Sequence, residues 1–396
     1  MNFHLSDSTG LCSRAIMVFL TLAIIGTLLG ACVTDNKSCS ENWEKVDNLQ
    51  GAIERLAAAM EKELACDLYF ELPEGSFEGV MVMPGGVHLR GQGIGRTILK
   101  LPDDSEDGVV LKLEPGEQKT CSVESLQIDA NDGVGIYAEG AGTVELSKLR
   151  VNVEGSARGG VAFRLKDIPD FTMLQSSAGG NVNKSNVGVI NPSSVEMFAA
   201  TGLLIEDCRK GELQDVSVEG FAHQGARLSG SGNISWKSSD TGSVISDCVR
   251  VGIVATDGVR LEMQSIDFRN IWMGGFNNSG VGLLASESEI SGKEMTFSNC
   301  DLVGALAHNS QITLDDVVLQ DSFFGFWAQK DDDSSPLANI HLSGIKAVNL
   351  RGVAIGAYGV DDFLISDSTI QDVAKASLPW EGGSKQIGRA SCRERV

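Results

Sequence analysis

The most regular pattern along the chain is a glycine followed by three mostly apolar residues. It occurs as Gly135-Ile-Tyr-Ala, Gly202-Leu-Leu-Ile, Gly252-Ile-Val-Ala, Gly282-Leu-Leu-Ala, Gly304-Ala-Leu-Ala, Gly325-Phe-Trp-Ala and Gly352-Val-Ala-Ile. From Gly282 onward the spacings are 22, 21 and 27 residues. Units this short cannot bury an apolar face alone, so they must stack into a solenoid. Each unit also holds two further short strands, as at Ile312-Thr-Leu314 and Val317-Val-Leu319. Three strands per coil without a helical stretch predict an all-β fold, a single-stranded parallel β-helix, over residues 67–380. About ten rungs at the spacing of neighbouring strands make a rod roughly 50 Å long. Ahead of it, Val46, Leu49, Ile53, Leu56, Ala57 and Met60 recur at mostly three- and four-residue steps. That period predicts a capping helix over residues 46–66. Residues 168–200 interrupt the repeat with Ser/Gly/Asn-rich sequence and are expected to form an inserted flap.

Stacking turns sequence positions into columns. Asp247, Asn270, Asn299, Asp321 and Asn349 shortly precede such glycines. They are expected to form a ladder bonding to turn backbone above and below. Four or five residues after each glycine come Glu139, Glu206, Asp207, Asp257, Glu287, His308, Asn309, Gln329 and Lys330. Within that polar edge Glu287, His308 and Lys330 are the candidate catalytic residues, because acid–base work needs a carboxylate or imidazole. A solvated turn edge is the plain alternative. Two residues after each glycine the side chain points outward. That column reads Tyr137, Leu204, Val254, Leu284, Leu306, Trp327 and Ala354. An apolar outer stripe wants a cover, either the flap or a ligand, and Tyr137, Leu306 and Trp327 are the candidate ligand-binding residues for stacked sugar rings. Asp331, Asp332 and Asp333 form a polar loop tip and are the candidate metal ligands, for calcium.

Both ends differ from the repeat. Ala15 to Leu29 is mostly apolar and uncharged and follows Arg14, the right length for the core of a secretory signal and short for a membrane span. Its ending, Leu29-Gly30-Ala31-Cys32, resembles the lipobox of bacterial lipoproteins. The resemblance implies a signal peptide over 1–31, a lipidated Cys32, a linker over 32–45, and a place in the bacterial cell envelope anchored to a lipid membrane. Val33, where an aspartate would retain the protein at the inner membrane, implies the outer membrane. Residues 387–396, IGRASCRERV, back-translate to a sequence resembling a short-read sequencing adapter, so they are expected to be an artefact that displaces the natural C-terminus.

The formal charge of −21 argues against nucleic acid and anionic lipid surfaces as partners, and against polyuronates unless a metal bridges the carboxylates. Cys39, Cys66, Cys121, Cys208, Cys248 and Cys300 could pair in an oxidising compartment, with Cys39 and Cys66 the first expectation.

The opening coils add a second resemblance. Leu72-Pro73-Glu74-Gly75-Ser76-Phe77, then Val87-His88-Leu89-Arg90-Gly91-Gln92-Gly93 and Thr97-Ile98-Leu99, look like the first rungs of the pectate-lyase-like right-handed β-helix superfamily. It spans Asp67 to Ala374 and implies a right-handed coil. It implies no single activity, since that superfamily holds lyases, hydrolases, epimerases, tailspikes and binding proteins. The Asn-Thr-Asp, Asp-Asp, Gly-His-Gly and Arg-Ile-Lys segments of its polygalacturonases do not occur in those arrangements. The expected function is a lipid-anchored envelope module that binds a polysaccharide or cell-surface glycan and needs no cofactor. The alternatives are a calcium-dependent polysaccharide lyase or glycoside hydrolase, and a structural or adhesive rod.

Overall fold

Strands carrying the glycine-led triplets lie side by side in one parallel sheet, from Met81–Pro84 to Val353–Tyr358. The computed structural model describes residues 42–60, 67–103, 108–153, 160–182, 200–239, 242–273, 279–332 and 335–374. The expectations for 1–41 with Cys32 and Cys39, for Cys66, for Asp333, for 183–199 of the flap and for 375–396 lie outside the described residues.

Register places Val281, Val303, Phe324 and Val353 in one file, so Gly282, Gly304 and Gly325 follow one another along the stack. A Cβ on Gly282 would lie 2.5 Å from the Gly304 carbonyl oxygen, and one on Gly304 2.7 Å from that of Gly325. Such an approach of one backbone to the next is possible only without a side chain. The last member differs from the sequence expectation. Ala354, not Gly352, stands beside Gly325, because the strand begins at Val353. The strands Val161–Lys166 and Gln224–Ser229 supply two rungs that the triplet pattern passes over.

The second and third strands of each coil form the other two faces. Thr120–Asp129 and Thr143–Asn152 run through the corner between those faces and join them into one sheet. Corners are turned by single left-handed residues, φ between 48° and 62°. Examples are Asp257, Glu287 and Asn309 after the first strand, Asp215, Glu294 and Asp316 after the second, and Asp247, Asn270 and Asn299 after the third. Short polar side chains tolerate this region better than most, which explains why acidic and amide residues recur there. The ladder forms, but side chain to side chain. Asn270 Nδ2 donates to Asp247 Oδ1 at 3.2 Å, Asn299 Nδ2 to Asn270 Oδ1 at 2.8 Å, and Asn349 Nδ2 to Asp321 Oδ1.

Inside, apolar residues from Val46 to Ala354 make one continuous core, with Phe268 and Phe297 stacked 4.4 Å apart. Cys121, Cys208, Cys248 and Cys300 are buried in it as free thiols rather than disulfides, and burial pushes each thiol up to about 12. Among the described residues the helix runs Leu49–Met60, starting three residues later than the periodicity suggested, and 61–66 lie outside the described residues. Asn48 caps it, its Oδ1 accepting from the Gly51 N–H at 2.8 Å. Leu49, Ala52 and Leu56 are buried against the first rungs. Trp43–Lys45, in the stretch expected to be linker, is a strand pairing with Leu68–Glu71, held by Trp43 edge-on to Tyr69 and the Arg90 guanidinium 4.1 Å over the indole. At the other end Phe363 and Ile370 occupy the files of Ile340 and Ala347, which are fully buried, yet are 37% and 42% exposed. No further rung stands over them among the described residues.

Candidate functional site

On the exit edge of the first sheet, the register separates the three residues expected to act together. Ser286, His308 and Gln329 share one file. Glu287 is an exposed left-handed corner residue whose N–H bonds to the His308 carbonyl. His308 Nε2 lies 3.0 Å from Asp331 Oδ1, and its Nδ1 lies 3.4 Å from Ser286 Oγ. Lys330 is withdrawn: its side chain is 5% exposed and its ammonium sits 2.8 and 2.9 Å from the Asp361 oxygens. A buried ammonium needs such a partner, and the pair holds the Asp361 carboxyl below its ordinary range. Lys330 is therefore occupied as a structural cation rather than offered to a substrate.

Asp331 and Asp332 do not converge either. Asp331 turns back, its backbone N–H donating to Asn309 Oδ1 at 3.1 Å and its carboxylate accepting from Asn309 Nδ2 at 3.2 Å. Bonds from His308 and Asn309 keep its carboxyl below the usual range. Asp332 accepts from the Ser335 N–H at 3.1 Å, closing the loop on itself. Among the described residues no group of three or more His, Cys, Asp or Glu is placed to hold a metal.

The outward stripe is shorter than its sequence column. Register gives the file Tyr137, Arg164, Leu204, Arg227, Val254, Leu284, Leu306, Trp327 and Gly356. Two arginines interrupt it, and Gly356 takes the place expected of Ala354. Arg164 lies 5.4 Å from the Tyr137 ring centre and bonds to Glu206, while the Tyr137 hydroxyl donates to Glu139. Leu204 and Val254 are buried. What remains is a half-buried shelf of Leu284, Leu306 and Trp327, with the indole lying against Gly356 and 5.8 Å from the Phe324 ring. Leu306 and Trp327 are thus brought together, and Tyr137 lies six rungs away from Leu306.

A second feature lies on the outer face of the second strands, where the sequence reading placed nothing. A groove of about 690 Å³ runs along the stack there. One wall is the file Lys210, Asn233, Arg260, Glu289 and Gln311, and its floor carries Ser235, Ser291 and Thr313. Six rungs from Lys210 to Asn339 give a length of roughly 24 Å. Most of its charges are paired: Lys210 with Glu212 at 3.1 Å, Arg260 with Glu289 at 3.1 Å, and Glu262 with Lys237, beside the groove, at 2.9 Å. Glu212 raises the Lys210 ammonium above its ordinary value by hydrogen bonding to it. The result is a line of hydroxyls, amides and neutralised ion pairs. It can donate and accept many hydrogen bonds while carrying little net charge. Alternating polar residues on a strand look like plain solvent-facing positions, so only the register reveals the trough.

No family model and no curated protein sequence matches the chain. Solved structures of similar shape include the periplasmic alginate epimerase AlgG, at 11% identity and a TM-score of 0.51, covering 85% of this chain and 84% of that one. The A-module of mannuronan C-5 epimerase AlgE4 from Azotobacter vinelandii is 17% identical, with a TM-score of 0.49 and 82% and 96% covered. Pectate lyase Pel9A is 11% identical, with a TM-score of 0.41 and 87% and 82% covered. At these identities the likeness is one of fold, and the fold is a right-handed parallel β-helix.

Proposed function

We propose that this chain is a glycan-binding module of the bacterial envelope that holds an extended, hydroxyl-rich polysaccharide along the second-strand groove. One observation carries the reading: six stacked rungs present hydroxyls and amides along one trough whose charges are mostly paired. A polyanion would meet the unbalanced charge of −21 beyond the groove, so the ligand class is an uncharged or weakly charged chain. AlgG, of like fold, is by name an alginate epimerase, so a polysaccharide is a ligand this fold serves elsewhere. The lipobox-like Leu29-Gly30-Ala31-Cys32 supports anchoring through Cys32, with the rod displayed at the outer membrane.

Affinity electrophoresis in gels carrying neutral or acidic polysaccharides tests this. Retardation is expected with a neutral polymer, and it should be indifferent to salt because it does not depend on net charge. Ser291→Trp, which fills the floor, should weaken retardation at least fivefold. Unchanged retardation of that variant, or retardation by polyuronates alone, refutes the groove. Unsaturated uronides formed in the presence of calcium would establish a lyase instead.

A further inference from the structure

The exit edge of the first sheet carries an arrangement that glycan binding in the groove does not use. Ser286 and His308 end successive first strands in the same file, and Asp331 reaches back to them from the loop after Phe324–Gln329. The two contacts of the imidazole fix its tautomer. A carboxylate only accepts, so Nε2 carries the proton donated to Asp331 Oδ1 at 3.0 Å. Nδ1 is then left as an acceptor, and 3.4 Å away is the Ser286 hydroxyl. Asn309 Nδ2, donating to the other Asp331 oxygen at 3.2 Å, holds the carboxylate in place. The connectivity is hydroxyl to imidazole to carboxylate, the order by which a base activates a nucleophile that a third group orients. Beside it on the same face, two residues back along each strand, lie Leu284, Leu306 and Trp327.

We propose that Ser286, His308 and Asp331 form a serine-esterase site for carboxylic esters whose small apolar acyl group rests on the Leu284–Leu306–Trp327 shelf. Ser286 Oγ bonds to the ester carbonyl carbon as its proton passes to His308 Nδ1. The carbon–oxygen bond to the alcohol breaks, and the departing alkoxide takes that proton. Water then attacks the acyl-serine, again losing its proton to Nδ1, and releases the carboxylic acid and the free hydroxyl. No co-reactant beyond the ester and water is required. Asp331 is a positioning residue: it holds the tautomer and offsets the imidazolium charge. His308 and Asp331 side chains are 33% and 51% exposed, so solvent shares in stabilising the oxyanion and activated esters are the suitable probe. Apparent hydroxyl–imidazole separations of this size shorten when substrate binds.

This activity stands apart from the groove, and the tests separate the two. The full chain is incubated with p-nitrophenyl acetate and butyrate, and separately with a fluorophosphonate. Hydrolysis by wild type should fall at least tenfold in Ser286→Ala and in His308→Asn. Asp331→Asn should change the pH profile of the rate as well as lower its plateau. Fluorophosphonate should modify Ser286, read by peptide mass spectrometry, and should fail to do so in His308→Asn. Trp327→Ala should erase any preference for butyrate over acetate through KM. Circular dichroism confirms that each variant is folded. A Ser286→Ala protein that keeps the wild-type rate shows a lone imidazole at work and overturns the proposal, as does a wild-type chain that neither hydrolyses the esters nor takes the label. Glycan retention without esterase activity leaves the groove standing and removes this site, and the reverse result does the opposite.

Discussion

The first and last described rungs are built from the same repeat and differ in what covers them. At the first, Leu49, Ala52 and Leu56 lie over the opening coil, and Trp43–Lys45 adds a strand beside it. At the last, Phe363 and Ile370 stand in files that are fully buried one rung earlier and remain more than a third exposed. In a solenoid each rung is stabilised by its neighbours, so a terminal rung lacks half of that support. The helix supplies the missing half at one end. Its worth is mainly the burial of Leu49 and Leu56, each contributing roughly 1.5–3 kcal/mol.

The largest test lies at the covered end. Leu49→Ala should cost about 2–5 kcal/mol, since it empties a packed position. Hydrogen exchange should then quicken in Leu68–Glu71 before it quickens anywhere else. If a substitution in the last described rung costs as much, the contrast between the two rungs is not real. A second test acts on neither end. His223, in the middle rungs, is 7% exposed, and burial first, then the Arg250 and Arg227 charges, lowers its pKa to about 4. The folded state thus disfavours the proton that the unfolded chain binds near 6.5. Stability is intact above that value and falls as pH drops toward 4, by up to about 3 kcal/mol. Denaturant melts should show this loss, His223→Leu should abolish it, and both ends should loosen together. The smallest effect belongs to the last described rung. Ile370→Ser should change stability by no more than about 0.5 kcal/mol, because the side chain already meets solvent. Sedimentation velocity should find less self-association in the variant, because an exposed apolar rung attracts others.

Much of the architecture was legible in the sequence because one geometric demand repeats. A backbone approach that no side chain fits enforces glycine at Gly282, Gly304 and Gly325, and apolar neighbours follow from burial. Legibility failed where the demand relaxed. Ala162 and Ala354 fill the same file, and Gly352 completes the triplet pattern two residues ahead of Ala354. Gln224–Ser229 was passed over because Arg227 breaks its apolar run. The site was less readable for a related reason. His308 stood out as a rare residue, and Leu306 and Trp327 as an outward apolar pair, but their chemical neighbours are set by contacts across rungs. Lys330 looked available until Asp361, one coil later, claimed its ammonium. Ser286 carried no mark at all, since a serine at a strand end is ordinary until a histidine stacks on it. The groove is the extreme case, built of polar alternation that is individually unremarkable.

The four core thiols have a use that follows from their placement. Cys121, Cys208, Cys248 and Cys300 sit on successive parts of the chain, and therefore at successive heights along the stack. None is accessible or ionised while its own coil stays closed. An alkylating reagent applied during partial unfolding therefore stamps each molecule with a record of how far separation has travelled. With no disulfide among these four, the order of their modification maps the direction of unzipping without any engineered probe.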